Sequence, residues 1–348
     1  MLPFLGSIYG VIANLRNLLY DRGVFDSFDL AAKTISIGNI TVGGTGKTPL
    51  VAYVSATLAE RGERVCVLTR GYGRKNPRER VLVSDGEKIL ADPSEAGDEP
   101  FELARKLLGK AVVIADADRV SAAEWAKRRF GVTAFVLDDG FQHRKLKRGV
   151  DIVCIDATDP FGGDKMLPAG RLREPVANLR RADIIVITRA DLVKDISDLR
   201  SEILRLNPGA SVFTARNQII RIIELSGFFN RDAVVQNKAG VLVEHSAIEP
   251  KRDRAFAFSG IGNPDSFFNQ IRDHGVNLVA ANIYRDHHRY SQKDIEREEG
   301  VARKGKADFL ITTVKDAVKL KDLVFTMPCF VVEIEMLMDE ESVFAALL

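Results

Sequence analysis

Cysteine is scarce in this 348-residue chain, limited to Cys66, Cys154 and Cys329. Three scattered thiols build no disulfide framework and lack the paired spacing of a zinc site; each sits in an apolar segment, as a small core residue in a reducing compartment does. Charge of one sign is equally scarce. Lys plus Arg number 50 against 48 Asp plus Glu, a formal net charge of +2, which gives no general electrostatic reason to bind nucleic acid. No apolar run reaches the roughly 20 residues that span a bilayer. No basic leader followed by a small-residue cleavage site marks a signal peptide, and neither a solenoid repeat nor a low-complexity tract is present. What is there, 46% hydrophobic and 28% charged residues, fits a globular α/β protein of about two domains.

The first fifteen residues carry no charged side chain. Phe4, Leu5, Ile8, Val11, Ile12, Leu15, Leu18 and Leu19 recur at helical spacing, so a helix with one apolar stripe is expected. Gly6 and Gly10 make it a poor autonomous helix that needs a surface to fold against. Two surfaces suit it: its own domain, or a membrane interface with Arg16 and Arg22 near headgroups. From residue 33 short apolar runs alternate with helical stretches. Thr34–Ile37, Val65–Thr69, Val112–Ala115, Val132–Leu137, Asp151–Ile155 and Asp183–Thr188 read as strands of a parallel sheet covered on both faces. Val81–Ser84 and Glu87–Leu90, flanking Asp85-Gly86, read as a hairpin. Ser211–Leu225 reads as a paired connection to a second unit that starts near Ala255.

Chemistry enters at residues 35–48. An apolar strand runs into a glycine-rich turn, and Gly46-Lys47-Thr48 opens a helix with Pro49 in its first turn, the context that makes a P-loop credible. Backbone N–H groups of Gly43, Gly44, Thr45 and Gly46 would converge on phosphate oxygens, Lys47 would reach the β- and γ-phosphates, and Thr48 would offer a hydroxyl to Mg²⁺. Thr41 stands where such loops usually carry their first glycine. A P-loop also needs an acid at the end of a neighbouring strand, and Asp138-Asp139 follow such a strand: one to hold Mg²⁺, the other to orient a water or substrate. Thr188-Arg189-Ala190-Asp191 departs from the guanine-reading motif of GTPases at its first two positions. Val42 stands where ParA-like dimeric ATPases carry a second lysine.

Taken in order, residues 38–49, Arg70-Gly71-Tyr72-Gly73, Gly97-Asp98-Glu99-Pro100, Asp138–His143, Pro168–Pro175, Phe258–Pro264, Asp286-His287-His288 and Lys315–Leu320 resemble the tetraacyldisaccharide 4′-kinase family. The family commonly has a glutamate where Val314 stands here, which leaves a carboxylate role at that position without support. The resemblance implies a P-loop α/β/α sandwich joined by a two-stranded linker to a smaller α/β/α domain. The corresponding divisions are an interfacial helix within 1–30, a kinase domain at 31–210, a linker region at 211–254, a smaller domain at 255–330, and a C-terminal segment, 331–348, returning to the first domain. It implies ATP- and Mg²⁺-dependent phosphorylation of the 4′-hydroxyl of an acylated glucosamine disaccharide 1-phosphate at the cytoplasmic face of a bacterial inner membrane. The expected partners are that lipid and the membrane surface, with no nucleic acid and no obligatory protein.

Asp98 is then the candidate base, although on sequence alone it reads as a helix cap. By resemblance His287 pairs with it, with His288 the competing partner, and Asp139 and Lys47 complete the catalytic set. Arg70, Tyr72, Arg173 and Glu174 are the substrate-binding candidates. Two basic clusters, Arg70 with Arg74, Lys75, Arg78 and Arg80, and Arg144 with Lys145, Lys147 and Arg148, read either as phosphate-gathering surfaces or as solvated faces.

Overall fold

The computed structural model describes residues 2–230, 249 and 252–348, so the linker region expected at 211–254 lies partly outside the described residues. A helix, α1 (Leu2–Asp21), precedes the alternation β1 (Lys33–Gly38), α2 (Lys47–Glu60), β2 (Val65–Thr69), β3 (Val81–Ser84), α3 (Pro93–Ala96), α4 (Asp98–Lys106), β4 (Ala111–Ala115), α5 (Arg119–Phe130), β5 (Ala134–Asp138), β6 (Val150–Asp156), β7 (Ile184–Thr188) and α6 (Ser197–Leu206). There follow β8 (Ser211–Glu224), α7 (Leu225–Asn230), β9 (Arg254–Ser259), α8 (Pro264–Asp273), β10 (Asn277–Ile283), α9 (Gln292–Lys304), β11 (Phe309–Thr313), α10 (Val314–Ala317), β12 (Cys329–Met338) and α11 (Glu341–Ala346).

The twelve strands of the described residues join one sheet, in the order β10-β9-β11-β12-β8-β7-β6-β1-β5-β2-β4-β3. β2, β4, β5 and β7 are buried at every residue, as strands sandwiched between helical layers must be. Two pairings are antiparallel, β3 with β4 and β8 with β12. The expected hairpin is reduced to a bridge between Ser84 and Ile89. β3 takes its strand partner from β4, because pairing there buries Val83 completely.

The β8–β12 ribbon positions the site. Thr188 at the end of β7 pairs with Ala215 of β8. Thr313 at the end of β11 pairs with Val332 of β12, which pairs with Ile222 of β8. The carboxyl ends of the two parallel halves therefore face each other along one ribbon, with Ala215 to Ile222, roughly 23 Å of strand, between them. In open α/β sheets the carboxyl edge is where ligands bind; here two such edges share one cleft. The chain end packs back on the first half, where Phe344 meets Tyr53 and Phe213 and Lys33 Nζ donates to the Leu348 carbonyl at 2.8 Å.

The apolar stripe of α1 points away from the protein. Phe4, Val11, Ile12 and Leu15 are each more than half exposed, whereas Gly6, Gly10 and Asn17 are buried. A Cβ on Gly6 would lie 3.0 Å from the Met166 carbonyl oxygen, so the small face is what lets the helix approach the 166–175 segment. Among the described residues, no helix is long and apolar enough to cross a membrane.

Candidate functional site

The loop between β1 and α2 is held from both sides. Asn39 Nδ2 donates to Thr45 Oγ1 at 3.0 Å and Thr188 Oγ1 donates to the Thr45 carbonyl at 2.9 Å, which fixes the loop against β7. Thr41 is buried and bridges to Leu172, and Val42 N donates to the Arg171 carbonyl. Positive φ falls instead on Gly43 and Gly46, at 116° and 81°. The threonine is thus accommodated because this position is extended, and the left-handed turn is carried by the glycines downstream. Gly46 caps α2, whose N-terminus, with the dipole's positive end, opens into a cavity of about 440 Å³.

Gly43, Gly44, Thr45, Gly46, Lys47, Thr48 and Pro49 all line that cavity, as do Asp138 and Asp139. The two aspartates behave oppositely. Asp138 is buried, accepts a hydrogen bond from Thr69 Oγ1 at 2.9 Å, and is pushed up to about 6 by burial, with the charges of Glu99 and Asp139 adding to the effect. Burial also works to raise Asp139. There the fork of Arg173, at 2.7 and 2.9 Å, and the charge of Lys47, 3.6 Å away, win and hold the carboxyl well below the usual range.

The opposite wall comes from the second half of the sheet, with Gly262, Asn263, Asp286, His287 and Lys315. His287 Nδ1 lies 3.2 Å from Asp98 Oδ2. His288 is turned away, stacked on Tyr284 and facing Asp294 at 3.4 Å, so the residue next to Asp98 is His287. Asp98 is the first residue of α4 and sits behind the cavity lining, which here is formed by Glu99 and His287. Burial acts to raise its carboxyl, but the His287 hydrogen bond and the charge of Lys319 bring it below its ordinary value.

Of the substrate-binding candidates, Arg70 and Tyr72 line the cavity and touch one another, with Arg70 Nη1 donating to the Tyr72 hydroxyl at 3.1 Å. Arg173 also lines it, with its fork turned to Asp139. Glu174 does not reach the cavity. Its Oε2 accepts from Asn17, Asn178 and Arg181, at 2.7, 2.9 and 2.7 Å, beneath α1, and this buried anchor replaces the expected contact with substrate. The basic clusters are divided: Arg74 caps the carbonyls of Ala115 and Pro77, Arg80 pairs with Asp116, Arg144 with Asp21 and Arg148 with Asp151, whereas Arg70, Lys75, Arg78, Lys145 and Lys147 are exposed.

Other cavity neighbours had no role assigned from sequence. Buried Arg119 donates to the Asp138 carbonyl at 2.6 Å, and Lys315 Nζ lies 2.9 Å from Asp286 and 3.3 Å from His287 Nε2. The second belongs to a motif the sequence displays, at Lys315–Leu320. Arg119 carries no local signal, because its place depends on a β4–α5 turn meeting the end of β5.

A P-loop at the carboxyl edge of a doubly wound sheet, facing acid, imidazole and amine groups across one cleft, defines a P-loop kinase. The family model for tetraacyldisaccharide-1-P 4′-kinase matches residues 1–348, and the chain belongs to that family. Similar relatives are the tetraacyldisaccharide 4′-kinases of Halothermothrix orenii, 40% identical over 322 residues covering 92% of this chain and 82% of the relative, and of Geobacter metallireducens, 39% identical over 320 residues covering 92% and 88%. The crystal structure of LpxK from Aquifex aeolicus in complex with ATP is similar at TM-score 0.76 and 31% identity, covering 99% of this chain and 96% of that one.

Proposed function

We propose that this kinase transfers the γ-phosphoryl group of ATP to the 4′-hydroxyl of a tetraacylated glucosamine disaccharide 1-phosphate, with Asp98 as the base and His287 as its partner. The observation that carries the reading is the shared cleft: the triphosphate cradle and His287 face one another across one cavity, and His287 is hydrogen-bonded to Asp98 just behind the lining. The loop amides and Lys47 would hold the β- and γ-phosphates, and Asp139, tied to Arg173, would keep Lys47 aimed. A sugar hydroxyl is a weak nucleophile at neutral pH. An ionised Asp98, accepting from His287 Nδ1, would take its proton as the oxygen attacks in line with the departing ADP. Arg70 and Tyr72, at the cavity mouth, suit the acceptor's phosphate and sugar.

Mg²⁺ fits the donors present. Thr48 and Asp138 offer hard oxygens beside the phosphate cradle, and Asp138 is a buried carboxylate whose ionised form would gain from a cation. Asp139 is already engaged by Arg173 and Lys47. Among the described residues no cluster of three or more His, Cys, Asp and Glu could hold a metal, which suits a cation that shares its coordination with nucleotide phosphates. When bound, it would neutralise charge on the transferred group.

The outward apolar stripe of α1 supports a peripheral seat in the cytoplasmic leaflet of the inner membrane, where the substrate's acyl chains can stay in lipid. The expected lobes, residues 31–210 and 255–330, would then close on the β8–β12 ribbon around the sugar. Incubation with γ-labelled ATP, Mg²⁺ and the disaccharide 1-phosphate in detergent micelles should yield the 1,4′-bisphosphate. Label passing to a different acceptor, or only to water, would overturn the acceptor assignment.

A further inference from the structure

Lys319 lies one helical turn beyond Lys315, on the same segment, and its ammonium group meets the other side of the proposed pair. Its side chain is 7% exposed and does not line the cavity. Nζ lies 3.4 Å from Asp98 Oδ2, 3.5 Å from Asp316 Oδ1 and 3.2 Å from the His288 carbonyl oxygen. Asp316 is fully buried and itself fixed: Ser259 Oγ, Gly260 N, Tyr290 OH and Thr313 Oγ1 all donate to it. Lys319 is therefore anchored by the second half of the sheet and reaches across the cleft to a carboxylate on the first half.

We propose that Lys319 is a positioning residue for phosphoryl transfer: anchored on Asp316 and the His288 carbonyl, it holds the Asp98 carboxylate in its ionised form and in fixed orientation. The inference rests on Asp98 being the base. His287 and Lys319 both converge on Oδ2. Among the described residues the donors that reach this carboxylate meet Oδ2, which leaves Oδ1 to take the acceptor proton. Lys319 Nζ is taken up by Asp98, Asp316 and the His288 carbonyl, and its side chain is less exposed than that of Asp98, 7% against 18%, so its contribution passes through Asp98.

The charged groups around Asp98 set the sign of the expected pH effect. His287 and Lys319 face it directly, and Lys315 and Glu99, 3.7 Å apart, lie next to it with Asp286 beyond. The depressed ionisation of Asp98 means that the base form is present above a low threshold and lost as pH falls through it. Removing a cation at this distance raises that threshold.

The test is the pH profile of kcat/KM for Lys319→Met and Lys319→Arg against wild type, with ATP affinity measured alongside. In Lys319→Met the acid limb moves up by about one pH unit, activity recovers towards wild type above the new limb, and ATP affinity stays within about twofold. Lys319→Arg, which restores the charge, brings the limb back. A Lys319→Met enzyme whose activity falls equally at every pH, or whose limb does not move, overturns the proposal; should that variant not fold, an Arg variant with a displaced limb does the same. Asp98→Asn separates this from the base assignment. If Asp98→Asn is inactive while the Lys319→Met limb stays in place, only the lysine proposal falls; if Asp98→Asn turns over normally, the base assignment falls with it.

Discussion

Asp138 and Asp139 are adjacent in the chain, and the fold gives them opposite electrostatic surroundings. Asp139 meets a guanidinium fork and an ammonium group; Asp138 meets Thr69 and two other carboxylates. With its threshold raised to about 6, Asp138 binds its proton more tightly in the folded than in the unfolded chain, so its burial costs stability as pH rises from about 4 to about 6 and beyond. Replacing it should therefore stabilise the nucleotide-free protein. Asp138→Asn is expected to raise the calorimetric Tm by a few degrees at pH 8, and the gain should shrink as pH falls through about 6 and vanish below about pH 3, where the wild-type carboxyl is protonated in both states. An equal or lower Tm at pH 8 would show that the carboxylate carries no such cost. At this scale the sequence displayed the residue types but not their partners. Glu174 and Arg173 are neighbours in one motif, yet one anchors α1 and the other grips Asp139, a division set by which way the chain turns after Leu172.

Periodicity made most elements legible, since an apolar run of five residues between helices admits few readings. Val65–Thr69 is bounded in the structure as the sequence suggested, and α5 has its ends marked in the chain, with Asp118 capping one and Gly131 closing the other. β12 was less visible. Its second half alternates Glu, Ile, Glu and Met because it serves a ribbon with one exposed face, and its partner β8 lies more than a hundred residues away. The helix α1 shows the limit of pattern reading: the stripe was evident, but its outward direction follows from Gly6 and Gly10 docking on the 166–175 segment. The exposed stripe leads to a separable prediction. Val11→Ser with Leu15→Ser should abolish co-sedimentation with anionic phospholipid vesicles while leaving Tm unchanged within about 1 °C, because neither side chain is buried on folding. Loss of Tm without loss of vesicle binding would assign the stripe to the core instead.

For the whole molecule, the arrangement that matters is the reversal of strand direction at β8–β12. Without the antiparallel pairing the two halves would present their carboxyl edges in the same direction; with it, they oppose one another over one cleft. No local pattern announces this, because it depends on register between Thr188, Ala215, Ile222, Val332 and Thr313. The contacts bridging the cleft, His287 and Lys319 to Asp98 and Lys315 to Glu99, follow from that reversal. The account's central claim is that nucleotide is gripped by one edge while Asp98, supported from the other, activates the sugar oxygen. Comparing Asp98→Asn with wild type, in ATP affinity and in single-turnover transfer to the lipid acceptor, tests this most directly. The account predicts ATP affinity within about twofold of wild type and a transfer rate lowered by about 10²–10⁴-fold. Transfer within a few-fold of wild type, or a loss of ATP affinity large enough to explain the lost rate, would contradict it.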